Sequence, residues 1–417
     1  MRILFLTDNF PPEVNAPASR TFEHCREWVR LGHEVTVVTG VPNFPAGRIH
    51  PGYRNRMFQR EMIDGIDLVR VWTYITGNEG FLRRIIDYQS FMVSATVASA
   101  WLPTPDVVVG TSPQFFTACA ASAVARLKGV PFVFELRDLW PESIKAVGAM
   151  RDSVLIRALE RLELHLYRRA TRIVSVTRSF REILARRGID PAKIDVVTNG
   201  ADLARFSPQP RDQALARELG LEGRFVAGYI GTHGMAHALE TLLVAAKRLR
   251  QDGFAFLLLG DGARKEALRA QALDMGLDNV VFVDSVPKQD VPRYWSLLDA
   301  AIIHLKKTPL FSTVIPSKLF ECMAMGIPVV HGVAGESAEI VTREEVGLVF
   351  EPENAAELCE KLQQLRQSDS LRARFRERGV AAARNYDRVK LAKDMLGSLQ
   401  QAAAAGPKRV RASRQTP

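Results

Sequence analysis

Short apolar runs alternate with stretches of helical apolar spacing along most of the chain. Residues 2–7 (Arg-Ile-Leu-Phe-Leu-Thr) read as a buried parallel strand and are followed by a turn, Asp8-Asn9-Phe10-Pro11-Pro12. Residues 19–31 place Phe22, Cys25, Trp28, Val29 and Leu31 at helical spacing, and Gly32 fits the stop. With the strand at 34–39 this opening is a βαβ unit. Further strands are predicted at 68–72, 107–110, 130–135, 172–176 and 195–197, with helices between most of them. The helix after Thr177 carries a capping-box pattern, Ser179-Phe-Arg-Glu182.

The alternation then starts again. Residues 225–230 read as a strand, 239–249 as an amphipathic helix, and 254–259, 280–283, 300–304 and 327–331 as strands. Asn199-Gly200 reads as a turn and Phe206-Ser207-Pro208-Gln209-Pro210 as a linker, which puts the boundary near Ser207. The expected organisation is an N-terminal α/β domain over 1–206 and a second over 207–384. A terminal helix follows over 385–400, then a disordered basic tail over 401–417 containing Lys408, Arg409, Arg411 and Arg414. At 417 residues two domains are the natural count.

Hydrophobic content of 47% with 24% charged residues describes a globular protein. Residues 88–105 are free of charge but too polar to span a bilayer, and no signal peptide opens the chain, so a cytoplasmic location is expected. The four cysteines (Cys25, Cys119, Cys322, Cys359) have no metal-ligand spacing and read as reduced packing residues; no metal site is expected. A net charge of +10 calls for an anionic partner without choosing one. There is no GxGxxG after the first strand and no GxxxxGK[ST], HExxH or GxSxG, which argues against dinucleotide-dependent dehydrogenases, P-loop NTPases, zinc proteases and esterases.

The most informative stretch is Ser317-Lys318-Leu319-Phe320-Glu321-Cys322-Met323-Ala324-Met325-Gly326. Lys318 and Glu321 share one face of a helix that begins after Pro316, while Leu319, Phe320 and Met323 form a packing face. Such a helix start offers amide N–H groups and a positive dipole end to a phosphate, and Glu321 is placed to accept from ribose hydroxyls. The plain alternative is a surface i,i+3 ion pair worth tenths of a kcal/mol.

An ordered set of features extends this reading: Asn199-Gly200-Ala201-Asp202, Gly231-Thr232-His233-Gly234 after a strand, Gly260-Asp261-Gly262, and the Lys318 helix with Gly326-Ile327-Pro328-Val329-Val330. Together they resemble the GT-B glycosyltransferases of family 4 over about residues 1–400. Asp138-Leu139-Trp140-Pro141-Glu142-Ser143 is similar to the subgroup that builds bacterial surface polysaccharides, including the WbuB-type N-acetyl-L-fucosamine transferases.

The resemblance implies an α/β GT-B fold of two Rossmann-like domains facing across a cleft, with acceptor in the first and nucleotide-sugar in the second. The terminal helix would cross back to the first domain, with Tyr386, Val389, Leu391, Met395 and Leu396 as its apolar contacts. It implies a retaining transfer of an N-acetylated or deoxy hexosamine from a UDP-sugar, without metal or cofactor, to a lipid-linked (undecaprenyl-diphosphate type) or saccharide acceptor of O-antigen or capsule synthesis. The implied donor-binding residues are Gly231, Thr232, His237, Gly260, Thr313, Ser317, Lys318, Leu319 and Glu321, and the implied catalytic ones are Lys318, Asp138 and Arg137.

Two departures matter. The first glutamate of the family's E-x7-E is replaced by Thr313, so Ser312, Thr313 and Val314 are expected to meet the sugar by hydroxyls and backbone; His237 stands where relatives carry an Arg and a Lys. A neutral histidine donates a hydrogen bond but no permanent charge, which leaves more of the phosphate compensation to Lys318.

Residues 41–60 combine Arg48, Arg54, Arg56 and Arg60 with Phe44, Tyr53, Met57 and Phe58 without an acid, and Phe81-Leu82-Arg83-Arg84-Ile85-Ile86 repeats the mix. With Arg20 near the acceptor, Arg54, Arg56, Arg83 and Arg84 suit an anionic membrane surface on the inner face of the cell membrane. A solvated loop is the plain alternative, and no nucleic-acid motif is present. Rival classes are a nucleotide-sugar 2-epimerase of the same fold, which needs no acceptor, and a non-catalytic sugar-nucleotide binder.

Overall fold

The computed structural model describes residues 1–44, 47–76, 81–140 and 154–407, and the chain divides into two compact α/β units. Unit 1 comprises Met1–Thr198 with the segment from Val389 onward; unit 2 is Asn199–Arg388.

Unit 1 is built on strands β1 (Arg2–Leu6), β2 (Glu34–Thr39), β3 (Phe58–Ile63), β4 (Ile66–Val71), β5 (Val107–Thr111), β6 (Phe132–Leu136), β7 (Arg172–Ser175) and β8 (Ile194–Val196). They lie in the order β3-β4-β2-β1-β5-β6-β7-β8, parallel except for the β3–β4 hairpin. Its helices are α1 (Ala16–Arg30), α2 (Phe81–Trp101), α3 (Phe115–Lys128), α4 (Val154–Arg169) and α5 (Arg178–Arg186). The central strands are buried along their length, which is why they read as unbroken apolar runs. β3 alternates exposed and half-buried positions and carries Gln59, Arg60 and Glu61, so no apolar run marks it. The cap of α5 is Thr177, whose hydroxyl accepts from the Phe180 N–H at 3.0 Å, and not Ser179 as the capping-box pattern suggests.

Unit 2 contains β9 (Phe225–Ile230), β10 (Phe254–Leu259), β11 (Val280–Val283), β12 (Ala300–His304), β13 (Val329–Gly332) and β14 (Gly347–Val349), all parallel, in the order β11-β10-β9-β12-β13-β14. Its helices are α6 (Gln213–Glu218), α7 (Glu240–Arg248), α8 (Lys265–Asp274), α9 (Val291–Trp295), α10 (Lys318–Met325), α11 (Glu336–Glu344), α12 (Ala355–Gln367) and α13 (Asp369–Ala383). Two apolar layers cover opposite faces of this sheet, one around Leu319, Phe320 and Met323, the other around Leu243, Phe256 and Leu362. Both units are thus Rossmann-like, doubly wound sheets. The strand order reverses between β1 and β5 in one and between β9 and β12 in the other, where ligands of open α/β sheets bind beyond the strands' carboxyl ends.

The boundary falls at Thr198/Asn199, ahead of the Pro-rich segment near Ser207. Phe206 is the reason: its side chain belongs to the core of unit 2, and Ala201 bonds to Tyr386 and Arg388 across a short bridge. The last helix, α14 (Arg388–Ala405), runs five residues beyond the expected 400, so only 408–417 of the basic tail lies outside the described residues. Leu391, Ala392, Met395, Leu396, Leu399 and Ala402 enter the core of unit 1 with Ile3, Phe5 and Trp28, and the Trp28 indole donates to the Ala392 carbonyl at 2.8 Å. At about 1.5–3 kcal/mol for each large apolar side chain this burial anchors the helix firmly. Tyr386 packs in unit 2 instead, and Val389 is 39% exposed, so neither makes the contact expected of it.

Candidate active site

Lys318 opens α10, which follows β12 at the switch point of unit 2. Its Nζ is buried, has no hydrogen-bond partner, and lies 3.6 Å from the centroid of the Tyr229 ring. Gly231, at the end of β9, makes room for it: a Cβ there would sit 2.6 Å from Nζ, and the backbone has φ of +144°, which side chains rarely tolerate. Burial draws the Lys318 pKa down to about 7, only partly opposed by Cys322 and Glu321. The ion-pair reading therefore fails, since Lys318 is held over an aromatic face and not against a carboxylate. A buried ammonium without an acceptor is poised for an anion.

Glu321 lies one turn on, half-buried, and burial pushes its carboxyl upward while Lys288, Arg388 and Lys318 pull it down. Tyr229 holds the floor, its hydroxyl donating to the Thr232 carbonyl at 2.8 Å. His233 and His237 flank the same ring, at 5.9 and 5.8 Å between centroids. Burial, aided by Lys318, lowers their pKa values to about 4 and about 3, so both imidazoles are neutral at physiological pH. His237 accordingly brings hydrogen-bonding capacity and no charge.

Several predicted site residues have partners within the fold. Leu319 is fully buried and its N–H donates to the Pro316 carbonyl at 3.0 Å, while the Phe320 N–H is taken by Ser317, so the helix start has fewer available amides than expected. Ser317 precedes the helix without a side-chain cap. The Thr313 hydroxyl donates to the Leu310 carbonyl (2.6 Å) and the Ser312 hydroxyl to Pro309 (2.7 Å), leaving both as acceptors only. Gly260 serves loop packing: a Cβ there would lie 1.9 Å from the Gly231 carbonyl oxygen, and its own carbonyl is held by Lys265 at 2.7 Å. Thr232 is exposed at the loop tip.

In unit 1 the loops after β5 and β6 meet. The Ser112 hydroxyl accepts from the N–H groups of Arg137 (2.7 Å) and Asp138 (3.1 Å), fixing both residues at the carboxyl edge of the sheet, and Trp140 stacks on Phe115. Arg20 is not a surface cation. It is 2% exposed, pairs with Glu135 at 2.9 Å and donates to the Val197 and Thr198 carbonyls. Burial drives the Glu135 pKa upward, but Arg20 and Arg137 outweigh it and hold the carboxylate below its usual range. Arg54, Arg56 and Arg83 are exposed; the Arg84 side chain and Pro141-Glu142-Ser143 lie outside the described residues. Tyr229 and Lys288 are not among the residues the sequence singles out, and His233 enters there only as part of the Gly231 turn. Tyr229 was hidden within a strand-like apolar run.

Among the described residues no group of acids, histidines or cysteines is arranged to hold a metal ion, and no helix is long and apolar enough to cross a membrane.

Comparison with known proteins agrees with this architecture. Residues 15–200 match the model for a glycosyl transferase 4-like domain and residues 224–368 that for glycosyl transferases group 1. The putative colanic acid biosynthesis glycosyl transferase WcaI of Escherichia coli K12 is 27% identical over 342 residues, covering 78% of this chain and 82% of that one. A GDP-mannose-dependent alpha-mannosyltransferase of Mycolicibacterium smegmatis is 26% identical over 84% of each chain. Among solved structures, sucrose-phosphate synthase of Thermosynechococcus elongatus superposes with a TM-score of 0.78 over 97% of this chain and 100% of its own, at 15% identity. Anabaena HepE in complex with UDP-glucose gives 0.72 over 96% and 100%, at 16% identity.

Proposed function

This chain belongs to the GT-B glycosyltransferases of family 4, and from that premise we propose that it transfers a hexosamine-type sugar from UDP to a lipid-linked acceptor in bacterial surface polysaccharide synthesis. The observation that carries the donor half is the unpartnered Lys318 ammonium over Tyr229 at the switch point of unit 2. A nucleoside diphosphate leaving group gathers negative charge as its bond to the anomeric carbon breaks. Lys318 is the group to meet it, with Gly231 giving the phosphates close backbone approach and Glu321 accepting from the ribose. The acceptor hydroxyl oxygen bonds the anomeric carbon, and its proton passes to a departing phosphate oxygen, with retention of configuration.

In unit 1, Asp138 orients the acceptor hydroxyl or the sugar, and Arg137 offers charge near it. The sugar is read by acceptors only at Ser312 and Thr313, together with the backbone of that turn. Such a site favours a donor sugar that presents N–H or O–H groups there, as an N-acetylated sugar does. The names of relatives supply the biological setting: WcaI is named for colanic acid synthesis, and a structural neighbour, WaaG, for lipopolysaccharide synthesis. No metal or cofactor enters the reaction proposed.

UDP is supported by the HepE complex, while the mannosyltransferase relatives named for GDP-mannose favour GDP as the second reading. A thermal-shift screen of UDP-, GDP- and ADP-sugars separates them, because a ligand that binds only the folded state raises stability by RT ln(1 + [L]/Kd). The largest shift is expected in the UDP series. A shift confined to GDP-sugars would replace UDP by GDP, and none at all would overturn the donor site.

A further inference from the structure

The two faces of α2 differ in what covers them. Phe91, Ala95, Ala98 and Leu102, at helical spacing, are buried against the unit, with α3 alongside. The other stripe, Arg83, Ile86, Val93, Val97 and Trp101, with the half-buried Ser90 among them, follows the same spacing and is exposed. Ile86 is 51% exposed, Val93 and Val97 are each 57% exposed, and Trp101 is 87% exposed. An apolar stripe of four large side chains on one helix is not a random scatter of surface hydrophobes.

The surroundings select the partner. Asp87 is the only acid in α2 and lies off the stripe. Arg83 opens the helix, while Lys128 donates to the Ala100 and Leu102 carbonyls at its far end, next to Leu127, which is 65% exposed. Tyr74 joins the stripe through its N–H to the Ser90 hydroxyl (2.7 Å), and Thr73 is bonded to Asn55, which brings up the segment with Arg54, Arg56 and Met57. Apolar groups ringed by cations, with an aromatic at the edge, match the boundary between headgroups and acyl chains of an anionic bilayer. A second copy of the same face would set like charges against one another.

We propose that unit 1 docks on anionic lipid through the outer stripe of α2, with Ile86, Val93, Val97 and Trp101 entering the interface and Arg83 and Lys128 meeting headgroups. This rests on the lipid-linked acceptor of the proposed function and deepens the membrane-surface expectation drawn from the sequence. It also moves the centre of that surface: the basic loop at 54–56 becomes its margin and α2 its core.

The test is flotation of the full-length protein with vesicles of phosphatidylglycerol and phosphatidylcholine, against phosphatidylcholine alone, at low salt. The wild type is expected to float with the anionic vesicles only, and the V93E/V97E double variant and W101E to lose about tenfold or more in partitioning. Their thermal shift with the best nucleotide-sugar should match the wild type, which shows that the fold and donor site are intact. Variants that float like the wild type would overturn the α2 face while the membrane reading stood. A wild type that stays in solution at low salt would overturn both and leave the donor site untouched. A dimer in light scattering that V93E/V97E splits would assign the face to a second copy and defeat the proposal.

Discussion

Raising the pH from 7 to 8.5 should weaken donor binding through Lys318 alone. In the free protein its pKa is about 7, held down by burial. A bound diphosphate restores an opposite charge and raises that pKa, so the competent form of the free protein is the protonated one. At pH 7 about half of the lysines carry the proton and at pH 8.5 about 3%, which lowers the apparent affinity about 15-fold. The sign is fixed by linkage: binding takes up a proton, so affinity falls as pH rises. A nucleotide-sugar has no phosphate proton to titrate in this range, and His233 and His237, with pKa values of about 4 and about 3, are silent. The assay is isothermal titration of the best nucleotide-sugar at both pH values, repeated in buffers of different ionisation enthalpy. Uptake approaching about one proton per site is expected at pH 8.5. Lys318→Met should bind more weakly at pH 7 and show little pH dependence. An affinity that is flat with pH in the wild type, or equally steep in Lys318→Met, would refute the assignment.

The same lysine gives a stability effect of opposite use: because its folded pKa lies below the unfolded value, the unfolded chain binds more protons between pH 7 and about 10, so unliganded stability should gain from this group as pH rises through that window, measured by denaturant melts of wild type against Lys318→Met. Lys318→Ala should lower kcat/KM by on the order of 100-fold, and near-normal turnover would count against its role. Gly260→Ala would drive a Cβ into the Gly231 carbonyl and should cost about 1–3 kcal/mol and broaden the donor-induced thermal shift; an unchanged Tm would contradict the packing described. Arg20→Leu strands the buried Glu135 carboxylate and should destabilise by about 3–5 kcal/mol, seen as a lower denaturation midpoint, with Arg20→Lys recovering only part. EDTA should leave turnover intact, and loss that is restored by a divalent cation would reopen the chemistry.

Unit 2 is the more legible half because its central strands are buried on both faces, while the half-buried edge strand β14 carries no such signal. Residues 225–230, 254–259 and 300–304 coincide with the buried strands β9, β10 and β12, and 280–283 with the half-buried β11, because their runs are almost wholly apolar. β3 escaped notice because an antiparallel edge strand tolerates charge at consecutive positions. Lys318 was visible because a lysine in the first turn after Pro316 has a physical use that does not depend on the rest of the fold. What the sequence did not disclose is that its neighbour is an aromatic ring from another strand, which turns an apparent i,i+3 pair into an unpartnered buried cation. Arg20 was misjudged for the converse reason: one-dimensional spacing does not show that a carboxylate 115 residues away and two carbonyls converge on a guanidinium. Of α2 the sequence marks only the 81–86 end as a membrane surface and 88–105 as too polar to span; the burial of its other side shows that the exposed stripe continues through Val93, Val97 and Trp101.

The central claim is transfer: a nucleotide-sugar donor, an acceptor hydroxyl, and Lys318 neutralising the diphosphate that leaves. It is tested most directly by measuring nucleoside diphosphate release with a UDP-sugar in the presence and absence of an undecaprenyl-diphosphate-linked acceptor. Release that requires the acceptor, matches the label gained by the lipid and collapses in Lys318→Ala is expected. Donor consumption that ignores the acceptor would point to an epimerase, and binding without any consumption would leave a sugar-nucleotide receptor; either result would contradict the account.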